Sequence, residues 1–464
     1  MVKELPLLFL AGMSALAGTF NVRDYGAAGN GVRKDTAAIA RAVDACAKAG
    51  GGAVLLPPGR YLTGSIELKS NVTLEIEAGA TILGSTDPAD YAVAPNAYMP
   101  ERSELTGLIW GRDLVNVTVK GRGTVDGQGK TWWERQWAAS PKKGRPAPSP
   151  AATAAAKKAL VNGRPYLLKL VRCKNVLVEG LTFVNSPAWT IHPVMCEFVN
   201  IHALTIVNPV PSPNTDGINP ESCRNVHISN CHIDVGDDCI TLKSGKDEAG
   251  RRAGRPNENI TVTNCTMLKG HGGVVIGSEM SGGVRNVTVS NCVFNGTDIG
   301  IRVKSQRGRG GVVEGVAVSN IVMQDVPEAF TITTFYQGSD QPGEIYPVND
   351  GTPVFRDFRI SNITARGSKS AGQITGLKEM PVSGISFSHV RIAAARGFRL
   401  RNAKGIEFHD VQILPGEGPA LFGDNVEDLH LDGFRNTVDL KDVGDVFVDA
   451  RPAVTGRKPV FQLP

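Results

Sequence analysis

A short pattern of alternating apolar residues recurs along most of the chain from about residue 113. A typical copy opens on a small residue or Asn, places apolar side chains at every second position, and reaches Asn or Gly before the next apolar residue. Such alternation is typical of strands with one buried face. Copies begin at Asn175, Phe198, Asn225, Asn259, Asn286, Gly315, Asp357, Gly384 and Gly405.

The spacing of the copies predicts how these strands assemble. Neighbouring copies start as little as 21 residues apart, with no helical segment between them. A strand-only repeat of this length is typical of a parallel β-helix, in which each coil packs on the next. The leucine-rich consensus of the rival solenoid is absent. We therefore predict an all-β fold, a single parallel β-helix over residues 18–464.

One helix is expected near the start of this solenoid. Residues 35–49 have helical periodicity, and Asp35 is a candidate N-cap. A helix over the first coil would cover an otherwise open sheet edge. Its predicted apolar stripe consists of Ile39, Ala42, Val43 and Cys46.

Two segments depart from the repeat. Lys3 precedes an apolar stretch that ends in Ala15-Leu16-Ala17, which predicts a signal peptide over residues 1–17 and a secreted or periplasmic protein. The alternative is a buried N-terminal strand. Residues 138–159, rich in Ala, Pro and Lys, are interpreted as a loop insertion because repeats resume beyond them.

The eight cysteines suggest disulfides at first, as in many exported proteins. Cys231, Cys265 and Cys292, however, each follow an Asn at the same place in the repeat. Equivalent positions in successive coils stack, so these three are predicted to be buried thiols. One or two disulfides elsewhere stay open.

Charge and hydropathy exclude some function classes. The formal net charge is only +5, and no basic stretch is interleaved with aromatic residues, so we expect no nucleic-acid partner. No apolar run is long enough to cross a bilayer, so no membrane association is expected after cleavage of the signal peptide.

Four polar motifs interrupt the otherwise monotonous repeat. They are NTDGI at 214–218, GDDCI at 236–240, GHGG at 270–273 and RVK at 302–304. Successive motifs lie about one coil apart, and adjacent strands are roughly 4.8 Å apart. Each motif alone would more often be a turn or surface charge. Their order and spacing instead predict one patch containing Asp216, Asp237, Asp238, His271, Arg302 and Lys304.

This patch suits cleavage of a glycosidic bond. The reaction needs a protonated carboxyl group as acid and a carboxylate that activates or replaces water. Crowding of carboxyl groups raises the pKa of one of them. Arg302 and Lys304 are expected to hold the carboxylate of an acidic sugar. Neighbouring residues in a straight strand face opposite ways, so Asp237 and Asp238 require a bend, which Gly236 permits.

The four motifs resemble those of glycoside hydrolase family 28, the polygalacturonases. The likeness begins at FNVRDYGA, residues 20–27, and covers most of the chain. It implies a right-handed parallel β-helix. It also implies hydrolysis with inversion at the anomeric carbon, without a cofactor or a metal ion. We expect the protein to be a monomer. By position it makes Asp237 the general acid, Asp216 and Asp238 the water-activating pair, and His271 a supporting residue. It also implies substrate binding by Arg302, Lys304, Asn214 and Tyr336.

Residues 271–286 and 307–311 are more similar to the exo-acting bacterial and plant-type branch of this family. The resemblance implies hydrolysis of α-1,4-galacturonosidic bonds in pectin, with the 138–159 insertion closing one end of the cleft. No cysteine follows Cys239 at the fungal spacing, so the fungal disulfide loop is not expected.

Three other functions stay open at this point. The substrate can be another pectic polymer, rhamnogalacturonan or xylogalacturonan. A pectate lyase shares the β-helix but requires calcium ligands and a proton-abstracting base, which the GDD and GHG motifs do not supply. A non-catalytic carbohydrate-binding β-helix would tolerate neutral residues at the acidic positions.

Overall fold

The computed structural model describes residues 18–140, 148–336, 343–436 and 447–450. The predicted signal peptide, residues 1–17, lies outside this part of the chain. The described residues coil as a right-handed parallel β-helix, the hand that parallel crossovers almost always take. Three parallel sheets run along the solenoid, and the apolar core fills the space between them.

The first sheet is built from one strand per coil, each paired in parallel register with its counterpart in the next coil. Its strands are β1 (Gly18–Asn21), β3 (Gly52–Leu56), β6 (Val72–Ile76), β11 (Val115–Gly121), β14 (Lys174–Glu179), β17 (Glu197–His202), β19 (Arg224–Ser229) and β22 (Asn257–Thr263).

The second sheet follows the first after a sharp corner in each coil. Its strands are β2 (Asn30–Lys34), β4 (Gly59–Thr63), β7 (Ala80–Gly84), β12 (Thr124–Asp126), β15 (Thr182–Val184), β18 (Thr205–Val207), β20 (His232–Asp234) and β23 (Thr266–Met267).

The third sheet carries the polar motifs. Its strands are β5 (Ile66–Glu67), β10 (Gly107–Arg112), β13 (Tyr166–Val171), β16 (Ile191–Val194), β21 (Asp238–Leu242), β24 (Gly272–Gly277), β26 (Ile299–Lys304) and β28 (Glu328–Thr333). Between β16 and β21, bridges through Ile218 and Glu221 continue the sheet.

In the later coils single strands bend through the corners and serve more than one sheet. These are β25 (Val284–Asn295), β27 (Val312–Gln324), β29 (Val354–Thr375) and β30 (Val382–Asp432), which pairs with β31 (Phe447–Ala450). A short antiparallel pair outside the solenoid joins β8 (Val93–Pro95) to β9 (Ser103–Leu105).

Asparagines make many of the corners. Asn175, Asn225, Asn259 and Asn286, each the first residue of a repeat copy, have φ between 55° and 59°. Asn tolerates this left-handed conformation better than most residues. The side chains also form a ladder, because Nδ2 of Asn286 donates to Oδ1 of Asn259 at 3.1 Å and Nδ2 of Asn259 donates to Asn225 at 3.0 Å. The Asn of the repeat therefore turns the chain and links successive coils.

The predicted capping helix is α1 (Thr36–Lys48), and its predicted stripe is buried. Asp35 is the N-cap residue, as predicted, but its side chain makes no capping hydrogen bond. Asp35 precedes the helix, but its carboxylate accepts hydrogen bonds from the backbone N–H groups of Ala28 at 2.7 Å and Gly29 at 2.9 Å. The carboxylate thus fixes the preceding loop rather than the helix.

The remaining helices lie outside the coils. They are a 3₁₀ turn (Pro88–Asp90), α2 (Lys130–Ala139), α3 (Pro150–Ala159) and α4 (Asp247–Ala253). The segment interpreted as a loop insertion, 138–159, contains the end of α2 and all of α3, whereas its residues 141–147 lie outside the described ranges. No helix in the described part of the chain is long and apolar enough to cross a membrane.

All eight cysteines fall within the described residues and are buried and free. The prediction of buried thiols at Cys231, Cys265 and Cys292 is confirmed. A second column, which the repeat pattern did not reveal, places the Sγ of Cys196 3.3 Å from the backbone N of Cys173. Thiols serve here as small core side chains, and no disulfide forms in the described structure.

Candidate active site

The GDD motif lies on a bend between the second and third sheets. β20 ends at Asp234 and β21 begins at Asp238, so Gly236 and Asp237 form the turn that the alternation of side chains requires. Glycine is needed at this position for space, because a Cβ atom on Gly236 would lie 2.5 Å from Oγ of Ser212. The bend directs both aspartates toward the same side.

The motifs bring three carboxyl groups together. One oxygen each from Asp216, Asp237 and Asp238 lies within 4.8 Å of the other two. Asp216 belongs to the preceding coil, and the backbone N–H of Gly217 donates to the carbonyl oxygen of Asp238 at 3.0 Å. Asp216 and Asp238 are almost fully buried, whereas the side chain of Asp237 is 20% exposed. Asp237 is therefore the carboxyl group nearest to solvent.

Two cations accompany Asp238. Nζ of Lys304 donates to Oδ2 at 2.7 Å, and the Arg302 guanidinium lies 3.6 Å from Oδ1. The Lys304 side chain is only 6% exposed. This ammonium, predicted as a substrate ligand, is thus engaged with the carboxylate itself. Oδ1 of Asp238 is buried and has no hydrogen-bond partner, which leaves an acceptor free for a water molecule.

His271 contacts the most exposed carboxyl group. Its Nδ1 lies 3.2 Å from Oδ1 of Asp237, and its backbone N–H donates to the carbonyl oxygen of Asp237 at 2.9 Å. The hydrogen bond to Asp237 raises the pKa of His271. The imidazolium form is therefore stabilised beside Asp237.

The environments push the pKa values of two aspartates apart. Burial, reinforced by the nearby charge of Asp237, raises the pKa of Asp216 well above its usual range. Burial also raises the pKa of Asp237, but the hydrogen bond and charge of His271 outweigh it and the net shift is downward. Coupled carboxyl groups titrate as a unit. The protonated form is thus favoured at Asp216 and the ionised form at Asp237.

Two residues that the motif search missed hold Asp216 in place. Nδ2 of Asn219 donates to Oδ2 of Asp216 at 3.1 Å, and Nζ of Lys243 lies 3.9 Å from the same oxygen. Lys243 also bonds Glu279 at 2.9 Å. Alternation gave no signal for Lys243, because it lies five positions after Asp238 and a straight strand places residues at odd spacings on opposite faces.

The weaker predictions, Asn214 and Tyr336, also reach this region. The Arg164 guanidinium donates to Oδ1 of Asn214 at 2.7 Å. The ring centroid of Tyr336 lies 5.6 Å from the Arg302 guanidinium carbon and 5.0 Å from Nζ of Lys304. Tyr336 therefore contributes an aromatic face beside the two cations.

Helix α2 forms a wall on the N-terminal side of the site. Gln136, Trp137 and Ser140 line a recess of about 220 Å³ together with Asp237 and His271. Apart from an interruption of the repeat, no pattern in the residues indicated this helix. Its side chains narrow the approach to the carboxyl groups.

The balance between carboxyl and ammonium groups in the site determines how well it could bind a metal ion. The three carboxyl oxygens are close enough to hold a cation. The ammonium of Lys304 and that of Lys243, however, already supply positive charge within the cluster. A divalent cation would be repelled by these groups, so the donor set does not favour one.

Comparisons with known proteins identify the family of this chain. A protein from Vitis vinifera described as a probable polygalacturonase is 35% identical over 402 residues, covering 84% of this chain and 77% of its own length. The exo-poly-alpha-D-galacturonosidase of Dickeya chrysanthemi is 28% identical over 467 residues, covering 90% of this chain and 75% of its own.

A solved structure, a hyperthermoactive exopolygalacturonase from Thermotoga maritima, superposes with a TM-score of 0.74 at 32% identity, covering 86% of this chain and 92% of its own. The sequence profile of glycosyl hydrolases family 28 matches residues 46–408. These residues include most of the β-helix and all four polar motifs. The chain is a glycoside hydrolase and belongs to glycosyl hydrolases family 28.

Proposed function

We propose that the protein hydrolyses α-1,4-galacturonosidic bonds of polygalacturonate from one end of the polymer, with inversion at the anomeric carbon. One observation carries this proposal: three carboxyl groups lie within 4.8 Å of one another beside Arg302 and Lys304. The carboxyl groups supply acid and base, and the guanidinium and the Tyr336 ring suit an anionic sugar.

In the proposed reaction Asp237 donates its proton to the glycosidic oxygen as the bond from that oxygen to the anomeric carbon breaks. A water held by Asp216 and Asp238 attacks the anomeric carbon from the opposite face and gives its proton to a carboxylate. Asp237 suits the acid role because it is the carboxyl group that faces the cleft. Asp238, paired with Lys304, is kept ready to accept a proton.

This mechanism requires the proton of the coupled pair to move from Asp216 to Asp237. A bound uronate would cover Asp237, remove it from water and add a negative charge nearby. Both effects raise the pKa of a carboxyl group. Substrate binding therefore transfers the proton to the residue that uses it.

Exo action is supported by the wall that α2 forms beside Asp237. A cleft closed on one side admits a chain end rather than the middle of a polymer. The names of the Dickeya chrysanthemi and Thermotoga maritima relatives point the same way.

Sizing the products tests the substrate and the mode of attack together. With de-esterified polygalacturonate and excess EDTA, we expect monomer or dimer alone at early times, because the wall admits one chain end. Products should lack the ultraviolet absorbance of an unsaturated sugar. Chromatography of samples taken early in the reaction, with absorbance recorded on the same samples, measures both features.

A ladder of intermediate sizes would contradict exo action, and inhibition by EDTA would contradict the metal-free mechanism. If the protein cleaves rhamnogalacturonan or xylogalacturonan but not polygalacturonate, its substrate is another pectic polymer.

The proposal includes the location and state of the protein. Residues 1–17 have the pattern of a signal peptide, and a polymeric cell-wall substrate lies outside the cytoplasm. We propose a secreted or periplasmic monomer, since the solenoid brings every residue of the site from one chain.

A further inference from the structure

A cavity lies on the third sheet beyond the catalytic coils, on the side away from α2. Its volume is about 310 Å³. It begins next to the active site, because the backbone N–H of Asp298 donates to the carbonyl oxygen of Gly270, the neighbour of His271. The charged and amide side chains that line it are Asp298, Glu328, Lys369, Gln373, Arg396 and Arg399.

A row of polar side chains connects this cavity to the site. Arg302 is in register with Thr331, Thr331 with Gln373, and Gln373 with Arg399. Side chains at these positions share one face of the sheet. Arg399 lies three coils beyond Arg302, about 14 Å at the usual strand spacing. The row is a path for an extended chain.

The cations of the cavity are unpaired. Within the described residues Lys369, Arg396 and Arg399 are exposed and form no ion pair, and the Arg399 guanidinium lies 5.9 Å from the ring centroid of Phe422. Several arginines on the other faces do have a carboxylate partner, as Arg224 does in Glu258 at 2.7 Å. These three charges are available to an anionic ligand.

The cavity also holds two acids. Asp298 is exposed at the end nearest His271. Burial raises the pKa of Glu328, which disfavours its charged form, and the nearby charges of Arg302 and Arg396 oppose this shift only in part. The three cations therefore outweigh the acids, and the excess is greatest at the far end, around Arg396 and Arg399.

We propose that this cavity is a distal subsite, in which Arg396 and Arg399 bind the carboxylate of a uronate several sugars away from the cleaved bond. The inference rests on the proposed function and extends it. The chain end enters the recess beside α2 while the rest of the polymer runs over the later coils. Longer chains then gain contacts that shorter chains cannot make.

Chain-length dependence tests the subsite. In the double variant Arg396→Ala/Arg399→Ala, the ratio of kcat/KM for hexagalacturonate to that for digalacturonate should fall at least about tenfold, through KM, since two charge-assisted contacts are lost. The matched control is Arg391→Ala, an exposed arginine of the same strand that does not line the cavity. Its ratio should equal that of the wild type.

Binding separates failure of this inference from failure of the proposed function. Calorimetry with hexagalacturonate and Asp237→Asn protein, with and without the two arginine substitutions, should show about tenfold weaker binding without the arginines. An unchanged ratio and unchanged binding would overturn the subsite while leaving hydrolysis intact. A loss equal for all chain lengths would also overturn it. A wild type that neither cleaves nor binds oligogalacturonates would instead refute the function itself.

Discussion

Asp237→Asn should reduce hydrolysis of polygalacturonate by about 10²–10⁴-fold, the usual contribution of a general acid. Asparagine has the same shape but cannot donate the proton that the leaving oxygen needs. Its side-chain oxygen can still accept the hydrogen bond that the backbone N–H of Asp238 now makes to Oδ1 at 3.0 Å. The bend at Gly236 should therefore survive. Initial rates of reducing-sugar release give the measurement, with thermal unfolding recorded on the same preparations.

The matched control is Asp234→Asn, three residues earlier in the same coil. Asp234 ends β20 on the second sheet, where its side chain is 29% exposed and lies 4.0 Å from Nζ of Lys269. We expect wild-type turnover from this variant and unfolding midpoints that agree for all three proteins. Normal turnover by Asp237→Asn would refute the acid assignment, and a large drop in its unfolding midpoint would show that the residue is structural.

Lys304→Met should cost the fold about 3–5 kcal/mol, because it leaves a buried carboxylate without its cation. Met preserves most of the side-chain volume, so the loss reports the charge rather than a cavity. Arg302, 3.6 Å from the other oxygen of Asp238, replaces part of the attraction and favours the lower end of this range. Activity should fall as well, since Asp238 loses the hydrogen bond that Nζ of Lys304 donates to its Oδ2. Chemical unfolding monitored by fluorescence gives the free energy of unfolding.

Two comparisons identify the origin of this loss. Adding Asp238→Asn to Lys304→Met removes the unpaired charge and should restore part of the stability without restoring activity. Lys120→Met removes an exposed ammonium, 3.6 Å from Glu75, and should change stability by less than about 1 kcal/mol. Equal small effects of Lys304→Met and Lys120→Met would contradict the buried ion pair.

The pattern of apolar and polar residues within the repeat was enough to predict much of the fold and most residues of the site. Alternation located the strands, and the coil spacing put Asp216 and Asp238 side by side. The need for a bend at Gly236 followed from strand geometry alone. These features depend on residues near one another in sequence or at equivalent places in adjacent coils, which a repeat makes visible.

Other features depend on contacts that the repeat does not encode. Helix α2 comes from an irregular insertion, so its placement of Trp137 beside Asp237 could not be read from periodicity. The engagement of Lys304 with Asp238 was missed because residue type alone does not tell which anion a cation faces. The close approach of Ser212, which excludes a side chain at Gly236, likewise requires the folded loop.

The spacing of the carboxyl groups bears on whether the reaction inverts or retains the configuration at the anomeric carbon. Their nearest oxygens lie within 4.8 Å, closer than the roughly 6.5–9.5 Å common among inverting glycosidases. Inversion is nevertheless expected here. Asp216 and Asp238 are almost fully buried, so a water molecule can reach them more readily than the anomeric carbon of a sugar ring can.

Proton NMR of the first minutes of reaction tests this account most directly. Polygalacturonate is α-linked, so the three-aspartate mechanism predicts that free galacturonate appears first as the β-anomer, with the α-anomer rising later by mutarotation. No resonance of an unsaturated uronate should appear. Initial release of the α-anomer would mean that a carboxylate attacks the sugar, and vinylic resonances would mean elimination; either result would contradict direct attack by water at this site.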